Sequence, residues 1–209
     1  VLVKATKMVN EGADILDIGG YSSRPGAAMV TEKEELNRVI HVIKNIKDRF
    51  PDILISIDTF RSKVAKEAVN AGADMVNDIS GGGLDPKMFE TVGSLGVPYI
   101  CMHMLGDPQT MQNFSEYVDI EKEIGYFFSE KIEKCYKAGI KDVILDIGLG
   151  FSKTLEQNYR LLKHFSYFNT LKLPLLIGAS RKSMIYKLLN NSPEEALNGT
   201  TAIHMAALI

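Results

Sequence analysis

Short apolar runs alternate with longer amphipathic segments along the chain, in the repeating order helix, strand, helix, strand. Apolar runs bounded by turn residues are typical of buried strands, and apolar residues three to four positions apart are typical of helices. The pattern predicts strands over residues 13–18, 53–57, 75–79, 97–102, 143–147 and 173–177. Such a regular succession of strands and helices favours a parallel sheet with right-handed crossover connections.

The helix boundaries carry their own signals. Capping boxes are predicted at Thr31-x-x-Glu34 and Thr154-x-x-Gln157. Asp85 followed by Pro86 predicts an N-cap with proline at the first helical position, and Ser192-Pro193 predicts the start of the last helix. The apolar spacing from Met184 to Leu189 predicts a helix directly after the sixth strand.

Roughly six βα units in a row predict a (β/α)₈ TIM barrel that lacks its first and last strands here. A doubly wound open sheet is the alternative, but the Gly-x-Gly-x-x-Gly turn expected after its first strand is absent from the sequence. The chain begins at Val1 within a helical pattern and ends within another. We therefore expect residues 1–209 to be a single barrel domain that is truncated at both ends.

Composition excludes several classes of protein. Hydrophobic residues make up 45% and charged residues 24% of the 209 residues, and the net charge of −2 gives no general attraction to nucleic acid or to an anionic membrane. The apolar runs are too short to span a bilayer, and no secretory leader is visible. Cys101 and Cys135 fall in a predicted strand and helix and are interpreted as core residues, which suits a cytoplasmic location.

Polar side chains follow nearly every predicted strand. In parallel α/β folds, ligands bind at the carboxyl ends of the strands, so these side chains are expected to meet. Carboxylates and an amide suit a ligand with amine and ring N–H donors and one carbonyl, whereas arginine and serine suit phosphate or carboxylate. The candidates are Asp17, Ser22, Ser23, Arg24, Asp58, Asn77, Asp78, Met102, His103, Asp146, Ser180, Arg181, Lys182 and Ser183.

The turn after the sixth strand is the centre of this prediction. Residues 178–183 pass from a strand into a predicted helix, and helix N-termini bind anions through free N–H groups. Ser183 is therefore a candidate receiver for an anionic group of a small substrate. The sequence has no zinc-ligand spacing, no nucleophile elbow and no P-loop, which favours catalysis by positioning and by stabilisation of a leaving anion.

Structural explanations compete with these functional ones. Asp58 is also suited to capping the next helix, Asn77 to turn chemistry, Asp146 to a purely structural buried position and Lys182 to a solvated helix surface. For His103, between two methionines, a hydrogen-bonded core histidine is favoured over a catalytic base.

The motifs together resemble the dihydropteroate synthase family, in the family's order and over almost the whole chain. They are Asp17-Ile-Gly-Gly-Tyr-Ser-Ser-Arg-Pro-Gly-Ala27, Ser56-Ile-Asp-Thr59, Val76-Asn-Asp-Ile79, Met102-His-Met104, Asp146-Ile-Gly-Leu-Gly-Phe-Ser-Lys153 and Gly178-Ala-Ser-Arg-Lys-Ser183. The resemblance implies a (β/α)₈ barrel, usually a homodimer, that acts in folate biosynthesis and is the target of sulfonamides. It also implies Mg²⁺ and a reaction that joins hydroxymethyl-dihydropterin diphosphate to para-aminobenzoate and releases pyrophosphate.

The resemblance also assigns roles to residues. It implies a pterin site made of Asp58, Asn77, Met102, Asp146, Gly178 and Lys182, with Met102 against the ring and Asp58, Asp146 and Lys182 as the catalytic groups. Ser23 and Arg24 are implied near the aminobenzoate and diphosphate, and Phe151, Lys182 and Ser183 in the aminobenzoate pocket. No metal ligand is implied within this chain, because the family's asparagine lies on a first strand and its Arg-x-His on a last strand, which are both expected outside it.

The chain departs from the family pattern at several positions. Tyr21 and Ser23 stand where glutamate and threonine are commoner, and Ile147, Leu149 and Ser152 stand where proline, phenylalanine and glycine are commoner. Two other hypotheses stay open from the sequence. One is a pterin-binding methyltransferase domain that uses methyltetrahydrofolate and a corrinoid, and the other is a non-catalytic pterin-binding paralogue.

Overall fold

A computed structural model describes residues 1–22 and 28–208. Within these residues all strands belong to one sheet, in which neighbours are parallel and follow one another in chain order. The strands are β1 (Ile15–Gly19), β2 (Leu54–Asp58), β3 (Met75–Asp78), β4 (Tyr99–Met102), β5 (Val143–Asp146) and β6 (Leu175–Leu176). The predicted parallel α/β class is confirmed.

Helices connect the strands and cover one face of the sheet. They are α1 (Leu2–Asn10), α2 (Glu32–Arg49), α3 (Ser62–Asn70), α4 (Met88–Leu95), α5 (Ile120–Lys137), α6 (Leu155–Lys163), α7 (Ser183–Tyr186) and α8 (Leu197–Leu208), with 3₁₀ turns at Met111–Asn113 and Phe165–Leu171. Side chains alternate between the two faces of a strand. Ile55, Ile57, Val76, Tyr99 and Cys101 pack in the fully buried core beneath the helices.

The sheet curls about its inner face. Asn77 on β3 places its Nδ2 atom 3.3 Å from Asp17 Oδ2 on β1, although β2 lies between these strands. Strands in a flat sheet are about 4.8 Å apart, so side chains two strands apart meet only where the sheet is strongly curved. The chain therefore forms six consecutive strands of a barrel, as the sequence predicted for a TIM barrel lacking its end strands.

Local capping signals gave mixed outcomes. Thr154 forms the complete capping box with Gln157, as predicted. Thr31 caps α2 by accepting a hydrogen bond from the Glu34 N–H, but the Glu34 carboxylate pairs with Arg38 and leaves the box half-formed.

Other boundaries were predicted wrongly. Helix α4 begins at Met88, and Asp85 instead accepts hydrogen bonds from the backbone N–H groups of Ser62 and Lys87. Helix α7 is a single turn that ends at Tyr186, and α8 begins only at Leu197. In the turn between them, Ser192 bonds to the Glu195 carboxylate.

The two cysteines are buried and unbonded to one another, which confirms their place in the core. No helix within the described ranges 1–22 and 28–208 is long and apolar enough to cross a membrane.

Candidate active site

The inner face of the sheet carries its polar groups near the carboxyl ends of the strands. Asp58 and Asn77 are in register on β2 and β3, and Met102 and Asp146 are in register on β4 and β5. The sheet alternation that buries apolar side chains under the helices thus turns these four side chains towards the barrel interior. Four of the predicted pterin-site residues are brought to one edge of the sheet.

Asp58 lies in a strongly acidic environment. Burial, followed by the charges of Asp17, Asp78 and Glu35, raises the pKa of Asp58 to about 8. Gly19 leaves room for this carboxyl, since a Cβ atom there would lie 3.2 Å from Asp58 Oδ2. Asp58 is therefore largely protonated at neutral pH in the ligand-free protein.

Asp58 does not serve as a helix cap. Helix α3 begins at Ser62, whose backbone N–H donates to Asp85 Oδ2 at 2.7 Å. Asp85, and not Asp58, therefore accepts a hydrogen bond at the start of α3. The structural explanation offered for Asp58 does not apply.

Asp17 completes this part of the site. Burial raises the pKa of Asp17, although the Ser56 hydroxyl and the Asn77 amide act in the opposite direction. Solvent still reaches the side chain from the barrel interior. Ser56 is buried, and its Oγ lies near the Asp17 carboxylate but forms no hydrogen bond of ordinary length among the described residues.

Asp146, Gly178 and Lys182 converge at the other side of the site. Asp146 is 8% exposed and accepts a hydrogen bond of 2.8 Å from the Gly148 N–H. A Cβ atom on Gly178 would lie 3.7 Å from Lys182 Nζ and 3.9 Å from Asp146 Oδ2. The glycine therefore faces the space between a carboxylate and an ammonium group.

Burial shifts both charged groups towards their neutral forms. It raises the pKa of Asp146, while the Gly148 N–H, Lys182 and Lys153 oppose that change. It lowers the pKa of Lys182, while Asp146 opposes that change. The two charges stabilise one another in a poorly solvated place.

An apolar surface adjoins these groups. Ile79, Met102, Met104 and Met111 form a small buried cluster at the ends of β3 and β4, and Phe60 and Phe151 pack against it. The Phe151 ring also lies under Lys182, with Nζ 4.7 Å from the ring centroid. An apolar surface beside a carboxylate and an amide suits a planar ring with polar edges.

The predicted anion site is less well supported by the fold. Ser183 is exposed and begins a helix of only one turn, so the large helix dipole expected there is absent. Arg181 is exposed with a positive φ of 52°, and its backbone N–H donates to Thr200 Oγ1 at 2.9 Å. Ser23 and Arg24 lie outside the described residues.

Two residues near the site were not assigned a role from the sequence. Asp17 is one of the strand-end candidates, but the resemblance assigns it no role in the pterin site. Lys153 closes a recognised motif, and its Nζ lies 3.0 Å from His103 Nδ1. His103 is 2% exposed and contacts Lys153, which confirms the interpretation of His103 as a core histidine. Burial, followed by the charge of Lys153, lowers the pKa of His103.

Asp78 has a structural explanation. Its buried carboxylate accepts hydrogen bonds from Ser80, from the Gly82 N–H and from the Tyr99 hydroxyl, at 2.7 to 2.9 Å. These donors hold the glycine-rich turn after β3 and leave little capacity for a ligand. No group of three or more His, Cys, Asp or Glu side chains placed for a metal ion occurs in residues 1–22 and 28–208.

The fold and the site define an enzyme of the parallel α/β barrel class with its site at the carboxyl ends of the strands. The sequence matches the profile of a family described as pterin binding enzyme over residues 1–209. The chain therefore belongs to the pterin binding enzyme family. The relatives described next assign it to the dihydropteroate synthases, which are transferases.

Individual relatives support this grouping. The chain is 46% identical to the dihydropteroate synthase of Synechocystis over 202 residues, which cover 95% of the chain and 70% of that protein. It is also 46% identical to a folic acid synthesis protein of Pneumocystis carinii, of which it spans only 29%. A Yersinia pestis dihydropteroate synthase, solved with a sulfonamide drug, matches 99% of the chain and 75% of its own length, with a TM-score of 0.94 at 42% identity.

Proposed function

We propose that this chain forms most of the active site of a dihydropteroate synthase. The reaction joins hydroxymethyl-dihydropterin diphosphate to para-aminobenzoate. A bond forms between the aminobenzoate nitrogen and the pterin methylene carbon, the bond from that carbon to the diphosphate oxygen breaks, and the amine loses a proton. The observation that carries the proposal is the convergence of Asp146, Gly178 and Lys182 beside the apolar surface of Met102 and Phe151.

The pterin fits this convergence in chemical terms. Asp146 is an acceptor for the amine and ring N–H groups, Asn77 offers both a donor and an acceptor, and Lys182 is a donor for the ring carbonyl. Met102, 3% exposed, packs against the ring. Asp58 holds a proton at neutral pH in the free protein, so its carboxyl group can donate a hydrogen bond. A ring N–H group of the bound pterin would instead favour the ionised form of Asp58.

Departure of the diphosphate leads the displacement in our proposal, because the electron-rich pterin spreads the positive charge that develops. Asp146, and Asp58 in its ionised form, favour that charge from poorly solvated positions. The amine then attacks the methylene. These side chains act by position and charge, in keeping with the absence of a nucleophile motif from the sequence.

Phe151 and Ser183 are proposed to receive the aminobenzoate, together with Ser23 and Arg24 for the aminobenzoate and diphosphate. We also propose that the full protein uses Mg²⁺ with its diphosphate substrate. The described part of the chain offers no cluster of ligands for that ion, so we assign it to none of these residues and route no step through it.

Four finer properties belong to the same proposal. We expect the full protein to act in the cytoplasm as a homodimer in folate biosynthesis. We also expect sulfonamides to compete for its aminobenzoate pocket, since the Yersinia pestis relative was solved with such a drug.

The test is pyrophosphate release by the full-length protein, with pterin diphosphate and Mg²⁺, in the presence and absence of para-aminobenzoate. Release that depends on aminobenzoate and is suppressed competitively by a sulfonamide would support the synthase reaction. Asp146→Asn should depress turnover even where pterin still binds, whereas Asp142→Asn, at an exposed position before β5, should not.

Two results would count against the proposal. Unchanged turnover in Asp146→Asn would remove the electrostatic role of that carboxylate. Pterin binding that is lost in Asp58→Ala, without any pyrophosphate release by the unaltered protein, would instead indicate a methyltransferase domain or a non-catalytic pterin binder.

A further inference from the structure

We propose that Lys153 is a positioning residue of the active site: its ammonium group ties the turn after β5 to the end of β4 and so places Asp146 and Phe151 for the substrate. The inference rests on the proposed function for its catalytic consequence. Its structural part, the tie itself, stands on the contacts of one partly buried side chain.

Lys153 reaches into the turn from its far end. Its Nζ donates to the carbonyl oxygens of Gly148, at 3.1 Å, and Phe151, at 2.9 Å. These two carbonyls lie on either side of Leu149 and Gly150, so one ammonium group closes the turn on itself. The Phe151 N–H donates to the Gly148 carbonyl as well, at 3.1 Å.

The same ammonium group connects the turn to the neighbouring strand. Nζ lies 3.0 Å from His103 Nδ1 and 3.4 Å from the His103 carbonyl oxygen, directly after β4. The two segments are pressed together, since a Cβ atom on Gly148 would lie 2.1 Å from that carbonyl oxygen. Gly148 has a φ of 66°, which a side chain would strain. Lys153 therefore crosses a tightly packed junction.

Three groups of the turn contact residues of the active site. The Gly148 N–H binds Asp146 Oδ1 at 2.8 Å, the Leu149 carbonyl accepts a hydrogen bond from Lys182, and the Phe151 ring lies beneath the Lys182 ammonium. Lys153 holds the residues on both sides of Leu149. A shift of the turn would therefore move the partners of both Asp146 and Lys182.

A lysine at this position destabilises the fold unless its charge forms favourable interactions. A buried ammonium group loses its hydration, and a hydrophobic side chain of similar length would fill the same space without that loss. Burial lowers the pKa of Lys153 to about 7, with the charge of Lys182 acting in the same direction and that of Asp146 opposing. An ammonium group donates three hydrogen bonds and a neutral amine two, so the tie weakens as the proton leaves.

Several elements pack around Lys153 and carry titratable or charged groups that face its ammonium group. His103 faces it from the end of β4, Asp146 from β5, and Lys182 from the turn before α7. Tyr117 approaches from the loop before α5 and donates its hydroxyl to the Ser152 carbonyl, at 3.1 Å. Burial raises the pKa of Tyr117 to about 12, so it stays neutral in the range where Lys153 titrates.

The experiment uses the full-length protein with Lys153→Met and Lys153→Arg, and with Lys163→Met as the control at an exposed lysine of α6. Lys153→Met should lower kcat/KM for the pterin substrate on the order of 10²-fold, the loss expected from a small misplacement of catalytic groups. The thermal midpoint should stay close to that of the unaltered protein. Lys153→Arg keeps the charge and should recover part of the activity.

Two readouts separate positioning from simple stabilisation. The unaltered enzyme should lose kcat/KM as pH rises through the pKa of Lys153, which is about 7. This step should be absent from both variants, whereas any change that follows the pKa of Asp58, at about 8, should remain. Amide hydrogen exchange at Gly148, Gly150 and Phe151 should accelerate in Lys153→Met and stay unchanged in Lys163→Met.

The inference is overturned if Lys153→Met keeps normal kcat/KM and normal exchange in the turn. It is equally overturned if activity falls only in proportion to a lost folded fraction. Should the unaltered protein release no pyrophosphate, the proposed function fails, and exchange in the turn still decides whether Lys153 holds it. Should Lys153→Met not fold, the exchange of the unaltered protein at pH values on either side of the Lys153 pKa decides the same question.

Discussion

The side-chain amide of Asn77 donates a hydrogen bond to the carboxylate of Asp17 across the intervening strand β2, with Nδ2 3.3 Å from Oδ2. Because the amide nitrogen is engaged in this way, the amide oxygen of Asn77 is left to accept from an N–H group of a ligand. The negative charge of Asp17 also helps to raise the pKa of Asp58. Asp17 thus influences two residues of the proposed pterin site without being assigned a contact to the pterin.

Substitution of Asp17 separates these two effects. Asp17→Asn removes the charge but keeps an acceptor for Asn77, so the pKa of Asp58 should fall while Asn77 keeps its orientation. Asp17→Ala removes both, and pterin binding should weaken by about tenfold, or about 1.4 kcal/mol. Carboxyl ¹³C NMR titration and pterin binding by calorimetry measure the two effects.

Asp14→Asn is the matched control, because Asp14 is an exposed aspartate just before β1. It should leave both quantities unchanged. Equal pterin affinity in Asp17→Ala and in the unaltered protein would show that Asn77 does not depend on Asp17 for its orientation.

A methyl group at Gly178 should obstruct the pterin site while sparing the fold. The added Cβ atom would make only ordinary contacts with Lys182 Nζ and Asp146 Oδ2, at 3.7 and 3.9 Å. Gly178→Ala should therefore raise the Kd for pterin by about tenfold or more and leave the thermal midpoint nearly unchanged. Unimpaired binding in Gly178→Ala would place the pterin elsewhere.

The sequence predicted those parts of the structure that depend on local signals. The Thr154 capping box needs only residues three apart, and the strand order follows from regular βα repetition. Asp85 was misassigned because its partners include the Ser62 N–H, a contact between segments far apart in the chain. The helix predicted from Met184 to Leu189 ends earlier, at Tyr186, for a related reason, since apolar spacing alone does not show where a helix stops.

The sequence identified most residues of the site but not the contacts between them. Strand ends in the sequence identify Asp58, Asn77 and Asp146, because parallel strands bring their carboxyl ends together. The contact between Asp17 and Asn77 depends on the curvature of the sheet, which leaves no signal in the order of residues. The contacts of the Lys153 ammonium group depend likewise on how two loops pack.

Replacing a glycine by alanine should change the free energy of unfolding in opposite directions in two helices. Alanine favours a helix over glycine by up to about 1 kcal/mol. Gly125 on α5 has room, since its Cβ atom would lie 3.4 Å from Tyr167, whereas a Cβ atom on Gly93 of α4 would lie 1.9 Å from the Ala138 carbonyl oxygen. Gly125→Ala should stabilise the protein, and Gly93→Ala should destabilise it by about 1–3 kcal/mol. Urea denaturation of the two variants measures both changes, and a stabilised Gly93→Ala would mean that α4 and the end of α5 are less closely packed.

Glu121 should make stability depend on pH in the acid range. Its side chain is 8% exposed, and it binds Arg160 Nε at 2.7 Å and His164 Nδ1 at 2.6 Å. Burial acts to raise the pKa of Glu121, but the hydrogen bonds from Arg160 and His164 prevail and lower it to about 2. The folded state therefore binds the proton less tightly than the unfolded chain, in which the pKa is about 4.3.

The sign of the effect follows from this difference. The contribution of Glu121 to stability is fully present above the unfolded pKa and is lost as pH falls through the range towards 2. Glu121→Gln should therefore lower the free energy of unfolding at pH 6, and the gap from the unaltered protein should narrow between about pH 4.3 and pH 2. Salt should narrow it as well, because about half of each partner side chain, Arg160 and His164, is exposed. Glu116→Gln, at an exposed position in the loop before α5, should show neither change. A gap that stays constant from pH 6 to pH 2 would mean that the cluster stabilises the protein by packing and not by charge.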